Sequence, residues 1–183
     1  RVLIKTFHAF GAWLLRRNGH LLGLSSGFAI YDDEDSVSLL KSIYGDEKKK
    51  DLSLYASRIA RAKDYCLSPD DDLSRITVSR DFRAVYEAYE KKLDSIGNVD
   101  FGDLILKPLR LLRSNPELRS RLSSRFSVIL VDEYQDSNVA QYELLKALSG
   151  EHTYICVVGD EDQSIYRFRG AEVRNIVSFP ECF

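Results

Sequence analysis

Residues 128–136 read Val-Ile-Leu-Val-Asp-Glu-Tyr-Gln-Asp, and this stretch constrains the fold most. A short apolar run, Val128 to Val131, delivers two adjacent carboxylates, Asp132 and Glu133, to its end. Such a run suits a strand buried on both faces of a parallel sheet. In open α/β sheets, ligands bind just beyond the carboxyl ends of the strands. Adjacent side chains at a strand end point different ways, so the two acids can take different roles. One can hold a divalent cation, and the other can orient or deprotonate a water that attacks a phosphoryl group.

A second apolar run, Tyr154 to Val158, follows. Between the two, Asn138 to Ser149 carries Val139, Tyr142, Leu145 and Leu148 at helical spacing. Strand, helix, strand predicts a right-handed βαβ unit, which brings both following loops to one edge of one sheet. The second loop reads Gly159-Asp160-Glu161-Asp162-Gln163-Ser164-Ile165-Tyr166-Arg167-Phe168-Arg169-Gly170-Ala171. A glutamine such as Gln163 beside a nucleotide can report the γ-phosphate. Tyr166 and Phe168, alternating with Arg167 and Arg169, can stack bases and meet backbone phosphates. Asp160 is either a loop acid or a residue that orients the site.

The rest of the chain is mostly helical in pattern. Val2 to Lys5 reads as a short buried strand. Thr6 caps a helix faced by Phe7, Phe10, Leu14 and Leu15 and ended by Gly19 and Gly23. Asp32 or Asp33 caps a helix carrying Val37, Leu40 and Ile43. Lys48 to Lys50 reads as a solvated loop, Leu52 to Tyr65 as a helix, and Asp70 to Asp72 as a polar turn. Phe82, Val85, Tyr86, Tyr89, Leu93 and Ile96 form a strong helical stripe closed by Gly97-Asn98. A further pattern begins near Asp100 with Phe101, Leu104 and Ile105, where Pro108 should kink or break the helix. Pro116 opens one more short helix.

Composition narrows the class. Over 183 residues, 44% are hydrophobic and 30% charged, as in an ordinary globular chain. The net charge of −2 supplies no global basic field, so any nucleic-acid contact must rest on local groups. Arg119, Arg121 and Arg125 form one local cluster, and Arg167, Arg169 and Arg174 another. Cys66, Cys156 and Cys182 lack metal-ligand spacing and are too sparse for a disulfide framework. With no membrane-span-length apolar run and no signal peptide, a cytoplasmic location is the expectation.

Four segments in order now carry a family resemblance. Val131 to Ser137 resembles motif II, the Walker B element, of the UvrD/Rep-type superfamily 1 DNA helicases. Gly159 to Ala171 resembles their motif III. Thr6-Phe7-His8-Ala9-Phe10 resembles the segment that touches single-stranded DNA, and Asp100 to Ile105 resembles their DF-x-DL segment. The resemblance implies a fold class, α/β. Residues 1–18 and 126–183 would be parts of a RecA-like (P-loop NTPase) parallel sheet, domain 1A. Residues 19–125 would be an inserted all-helical subdomain, like domain 1B.

It also implies ATP and Mg²⁺ as cofactors. Asp132 would hold the metal, Glu133 would act on water, and Gln163 would sense the γ-phosphate. Thr6, Phe7, His8, Tyr166, Phe168 and Arg169 would contact DNA. The implied partners are single-stranded DNA and single-strand/duplex junctions, the implied direction 3′ to 5′. Two positions depart from the family pattern. Phe168 stands where tryptophan is usual, offering a smaller stacking face. Gly102 stands where an acid is common. Thr6, Phe7 and His8 also have a plain reading as packing and capping residues. For Asp100, Phe101 and Asp103, helix capping and packing come first and DNA contact second.

No G-x-x-x-x-G-K-[ST] phosphate loop occurs in the sequence, nor does the sequence include the family's motif IV region. The start at Arg1, within a strand-like run, together with the lack of any methionine, suggests a piece of a longer protein. Two other readings stand beside the helicase: a non-catalytic module binding single-stranded DNA or a partner, and part of a recombination-type helicase–nuclease. The expectation is that the 183-residue chain by itself hydrolyses ATP negligibly. Measured hydrolysis that Glu133→Gln removes would overturn it.

Overall fold

The computed structural model describes residues 2–45 and 49–160. They form an α/β chain in two compact units, divided between Lys107 and Pro108. In the first unit, Thr6 starts helix α1 (Phe7–Asn18) as its sequence position predicts: its Oγ1 accepts from Ala9 N at 3.2 Å. Leu14 and Leu15 are fully buried on this helix. A 3-10 turn, Gly19–Leu22, follows, and Gly23 ends it at φ 75°, where a side chain is disfavoured. The segment before Thr6 corrects an expectation. It forms no strand, and Val2 and Ile4 are 85% and 89% exposed. Apolar residues become a strand only through a ladder partner, and none pairs with this segment among the described residues.

Strand β1 (Ile30–Tyr31) leads into helix α2 (Asp33–Tyr44). Asp32 caps α2 with a reciprocal box: its side chain accepts from Asp35 N, and Asp35 accepts from Asp32 N. Helix α3 (Lys49–Asp64) begins earlier than expected, because Lys49 and Lys50 are helical rather than loop, while Lys48 lies outside the described residues. Lysine is a good helix former, and charge alone does not make a loop. Cys66, in the left-handed region at φ 59°, closes α3, with Leu67 N donating to Ala62 O. Asp71 and Asp72 bind the nearby Ser68 and Ser74 in a polar turn.

Helix α4 (Phe82–Ser95) buries the predicted stripe of Phe82, Val85, Tyr86, Tyr89 and Leu93. Ile96 falls one residue past the helix and is 40% exposed. With Leu39, Leu40, Leu52 and Ile59, the stripe makes the core of this unit. Each such side chain contributes about 1.5–3 kcal/mol by leaving water. Gly97, at φ 70°, turns the chain into strand β2 (Val99–Asp100). This strand pairs in parallel with β1, Ile30 against Val99 and Tyr31 against Asp100, a pairing too short to be read from the sequence.

Helix α5 (Asp103–Ser114) runs through Pro108 and is not broken there. Proline removes one N–H, so the carbonyl of Leu104 loses its helical donor while the helix continues on either side. Leu109, Leu111 and Leu112 are fully buried and hold this stretch in place.

In the second unit, Pro116 occupies the first turn of helix α6 (Pro116–Ser123). Strand β3 (Val128–Val131) pairs in parallel with strand β4 (Tyr154–Val157), Val128 opposite Tyr154 and Val131 opposite Val157. Helix α7 (Val139–Leu148), capped by Asn138 through Gln141, connects them. The predicted strand–helix–strand unit is therefore present. Burial of β3 on both faces is not: Val131 is buried, but Val128 and Leu130 are 57% and 74% exposed. Among the described residues this sheet has two strands, and a two-stranded sheet leaves open what a wider one would cover.

One polar cluster crosses the first unit's core. Lys63 is fully buried, and its Nζ lies 2.6 Å from Asp100 Oδ2, 2.7 Å from Glu90 Oε1 and 2.8 Å from Asp103 Oδ1. Burial would lower the ammonium, but Asp100, Asp103 and Glu90 together hold it well above the usual lysine range. Gly102 lies against the Lys63 stem: a Cβ there would come within 2.8 Å of Lys63 Cβ. Removing one partner of a buried ion network costs about 3–5 kcal/mol. Lys63→Met should therefore destabilise this unit by about that amount. Gly102→Ala should cost about 1–3 kcal/mol through crowding. Urea denaturation checks both, and wild-type stability in either variant would contradict the assignment.

Candidate nucleotide and nucleic-acid sites

The candidate residues fall in both units. In the second, β3 ends at Val131, and the parallel pairing continues past it: Val158 N donates to Val131 O at 2.8 Å, and Tyr134 N to Val158 O at 2.9 Å. Asp132 and Glu133 sit at the carboxyl end of β3, both exposed. Asp132 Oδ1 accepts from Glu133 N at 3.0 Å. Glu133 adopts φ 52° and ψ 40°, left-handed backbone that a glutamate rarely takes. Such a conformation costs about 1–3 kcal/mol and persists where its surroundings impose it. Here a 3-10 turn, Tyr134–Asp136, follows at once, anchored by Tyr134, which is 1% exposed.

The turn carries a residue that the sequence reading passed over. Gln135 is buried, and its Nε2 donates to Glu133 Oε2 at 2.6 Å. Its Oε1 accepts from Asp160 N at 3.1 Å. Gly159 is packed against the same amide, where a Cβ would lie 2.7 Å from Gln135 Oε1. The signal available in the sequence was a glutamine two residues beyond the acid pair, in a turn where its side chain can fold back. Asp160, left open between loop acid and orienting residue, contributes its backbone N–H here. Gln163, Tyr166, Phe168 and Arg169 lie outside the described residues.

Two exposed carboxylates at a strand end are an oxygen donor set of the kind a hard cation such as Mg²⁺ takes. Asp132 and Glu133 thus fit a metal–nucleotide role by chemistry and by placement. A second carboxylate group, Glu90, Asp100 and Asp103, has oxygens within 4.8 Å of one another, but the Lys63 ammonium supplies its positive charge.

In the first unit, Thr6, Phe7 and His8 open α1. Thr6 is the cap, as its plain reading proposed, and Phe7 is half-buried. The His8 ring stacks on Phe101, centroids 3.9 Å apart at 20°. Phe101 is 56% exposed, so its ring serves as no core anchor. Asp100 beside it caps α5, with Oδ1 accepting from Asp103 N at 2.8 Å, and Tyr89 OH donates to Asp100 Oδ2 at 3.0 Å. The structure thus joins the Thr6–His8 segment to the Asp100–Ile105 segment through one ring stack.

The model of the UvrD/REP helicase N-terminal domain matches residues 1–183. The chain belongs to that family. Among its relatives, the ATP-dependent DNA helicase Rep of Salmonella typhimurium is 38% identical over 187 residues, covering 100% of this chain and 28% of the relative. Rep of Escherichia coli is 37% identical over 187 residues, again covering 100% of this chain and 28% of the relative. The ATP-dependent DNA helicase PcrA of Staphylococcus aureus (strain NCTC 8325) is 36% identical over 184 residues, covering 97% of this chain and 25% of the relative. The chain spans about a quarter of the length of the curated relatives it matches.

Burial lowers the His8 imidazole to about 4. In an unfolded chain it titrates near 6.5, so as pH falls the unfolded state takes the proton first. His8 therefore contributes stability that is full above about pH 6.5 and is lost as pH drops towards 4. Allowing for partial solvent access, the loss is about 1–2 kcal/mol. His8→Phe keeps a ring on Phe101 and removes the titration. Between pH 7.5 and 4.5 the wild type should lose about that much more stability than the variant. Parallel denaturation profiles would refute this.

Proposed function

We propose that this chain is the motif II-bearing part of an ATP-dependent DNA helicase that translocates on single-stranded DNA, 3′ to 5′, and opens duplex at single-strand/duplex junctions. The observation that carries the reading is the placement of Asp132 and Glu133 at the carboxyl end of β3, beside a parallel β4 whose following loop leaves from the same edge. That edge is where open α/β sheets bind nucleotides. In this reading residues 1–18 and 126–183 belong to a RecA-like domain, and residues 19–125 form its helical insert.

Asp132 would hold Mg²⁺, which when bound neutralises charge on the phosphates. Glu133 accepts a hydrogen bond, and then the proton, from the attacking water. Its own carboxylate is held by the Gln135 amide, so it need not reorganise when the water arrives. Gln163 senses the γ-phosphate, and Tyr166, Phe168 and Arg169 contact DNA from the same loop. In the other unit, Thr6, Phe7 and His8 meet the strand.

The exposed Phe101 ring, backed by His8, adds a flat apolar face of the kind on which bases stack. No helix among the described residues is long and apolar enough to cross a membrane. A cytoplasmic location belongs to this proposal.

The test uses the native polypeptide that carries these residues. Glu133→Gln should lower ATP hydrolysis stimulated by single-stranded DNA by at least about a hundredfold while ATP binding persists. Phe101→Ala should weaken oligo(dT) binding by about 1–3 kcal/mol, as loss of one stacked base would. Undiminished hydrolysis in Glu133→Gln would sink the reading.

A further inference from the structure

Among the described residues, the Gln135 side chain ties the loop after β4 to the acid pair after β3. Gln135 spans them with both ends of one amide: Nε2 to Glu133 Oε2 at 2.6 Å and Oε1 to Asp160 N at 3.1 Å. The amide orientation is fixed by its partners. A carboxylate only accepts and a backbone N–H only donates, so the reversed amide would lose both bonds. The site is also tight. Gln135 is 2% exposed, and Gly159 leaves no room for a Cβ beside Oε1. The backbone rung from Tyr134 N to Val158 O lies alongside, so the amide reports small movements of the second loop relative to Glu133.

We propose that Gln135 is a positioning residue for Glu133, tying the direction of its carboxylate to the placement of the Gly159–Asp160 backbone. The inference rests on the proposed role of Glu133 in hydrolysis. The Glu133 backbone is held in the left-handed region, but its side chain is exposed. The Gln135 donor narrows its carboxylate to one direction. Because the acceptor end of the same amide is set by Asp160 N, a shift of the loop after β4 turns the donor away from Glu133. Residues beyond Asp160 include the nucleotide and DNA contacts proposed above. Gln135 thereby makes hydrolysis depend on the state of that loop without itself touching substrate. Glutamine suits this position because the tie needs a donor and an acceptor on one side chain. Glutamate lacks the donor at neutral pH, and methionine matches the shape but lacks both.

The experiment is a double-mutant cycle in the native polypeptide that carries residues 1–183, read by single-turnover ATP hydrolysis with oligo(dT). Gln135→Met should lower the hydrolysis rate by about 10–100-fold, as loss of an orienting partner does, and leave the KM for ATP within about twofold. In a Glu133→Gln background, Gln135→Met should change the residual rate no further, because the group it orients is gone. Gly159→Ala, at an exposed loop position, should reproduce the loss by displacing the amide. It also serves if Gln135→Met melts early. Equal rate losses from Gln135→Met in both backgrounds would mark a merely structural role and overturn the proposal. So would a wild-type rate in Gln135→Met or Gly159→Ala when Glu133→Gln is inactive. A Glu133→Gln variant that hydrolyses normally would instead remove the functional reading on which the proposal rests.

Discussion

The ammonium of Lys63 is the interaction on which the first unit depends. A fully buried lysine is tolerable only if its desolvation is offset, and here three carboxylates stand within 2.8 Å. They come from three elements: Glu90 from α4, Asp100 from β2 and Asp103 from α5. Burial raises Glu90 and Asp100, and Lys63 opposes that rise. Lys107, at 2.6 Å from Asp94 and 3.7 Å from Asp103, adds a second cation to an acid-rich neighbourhood. An apolar core alone would fix neither the register of β2 nor the start of α5. Directional contacts to one nitrogen fix both, and with them the turn that presents Phe101 to His8.

The second unit depends on parallel pairing. Four residues of β3 against four of β4 place Val131 beside Val157, and the acids and the second loop follow from that register. A slip of one residue would reverse every side chain and carry Asp132 to the other face. The helical connection and its two-sided Asn138–Gln141 cap keep the two strands close in sequence and exact in phase. Glu133 in left-handed backbone and Gln135 folded back upon it are local costs borne within that frame.

Much of this was legible from residue order. Caps at Thr6, Asp32 and Asn138, the stripe on α4, and the strand–helix–strand unit all arise from local chemistry, and local chemistry is written in neighbouring residues. Other features depend on partners remote in sequence. Val2 to Lys5 has strand composition, but pairing is a property of two segments. Pro108 looked like a break because its local cost is visible, whereas burial of Leu109, Leu111 and Leu112 is not. Lys63 carries no local signal, because Asp100 and Asp103 come beside it only in the fold. Gln135 went unmarked for the same reason, since Asp160 N reaches it only in the fold. The acid pair itself was readable because apolar run and carboxylates are contiguous, while the ring stack of His8 on Phe101 joins distant positions and left no trace in spacing.

The short β1–β2 pair has a bearing on how the chain folds in time. Ala29 N donates to Asn98 Oδ1, a contact that closes a loop of 69 residues. Closing so long a flexible loop costs about 4 kcal/mol in chain entropy, far more than a two-residue ladder returns. The ladder therefore cannot nucleate. Helices α2, α3 and α4 lie inside the loop, and their collapse onto a common core shortens the distance that remains to be searched. The strands meet last, as a latch on a structure already formed, and a nascent chain cannot engage that latch until Asn98 has been synthesised.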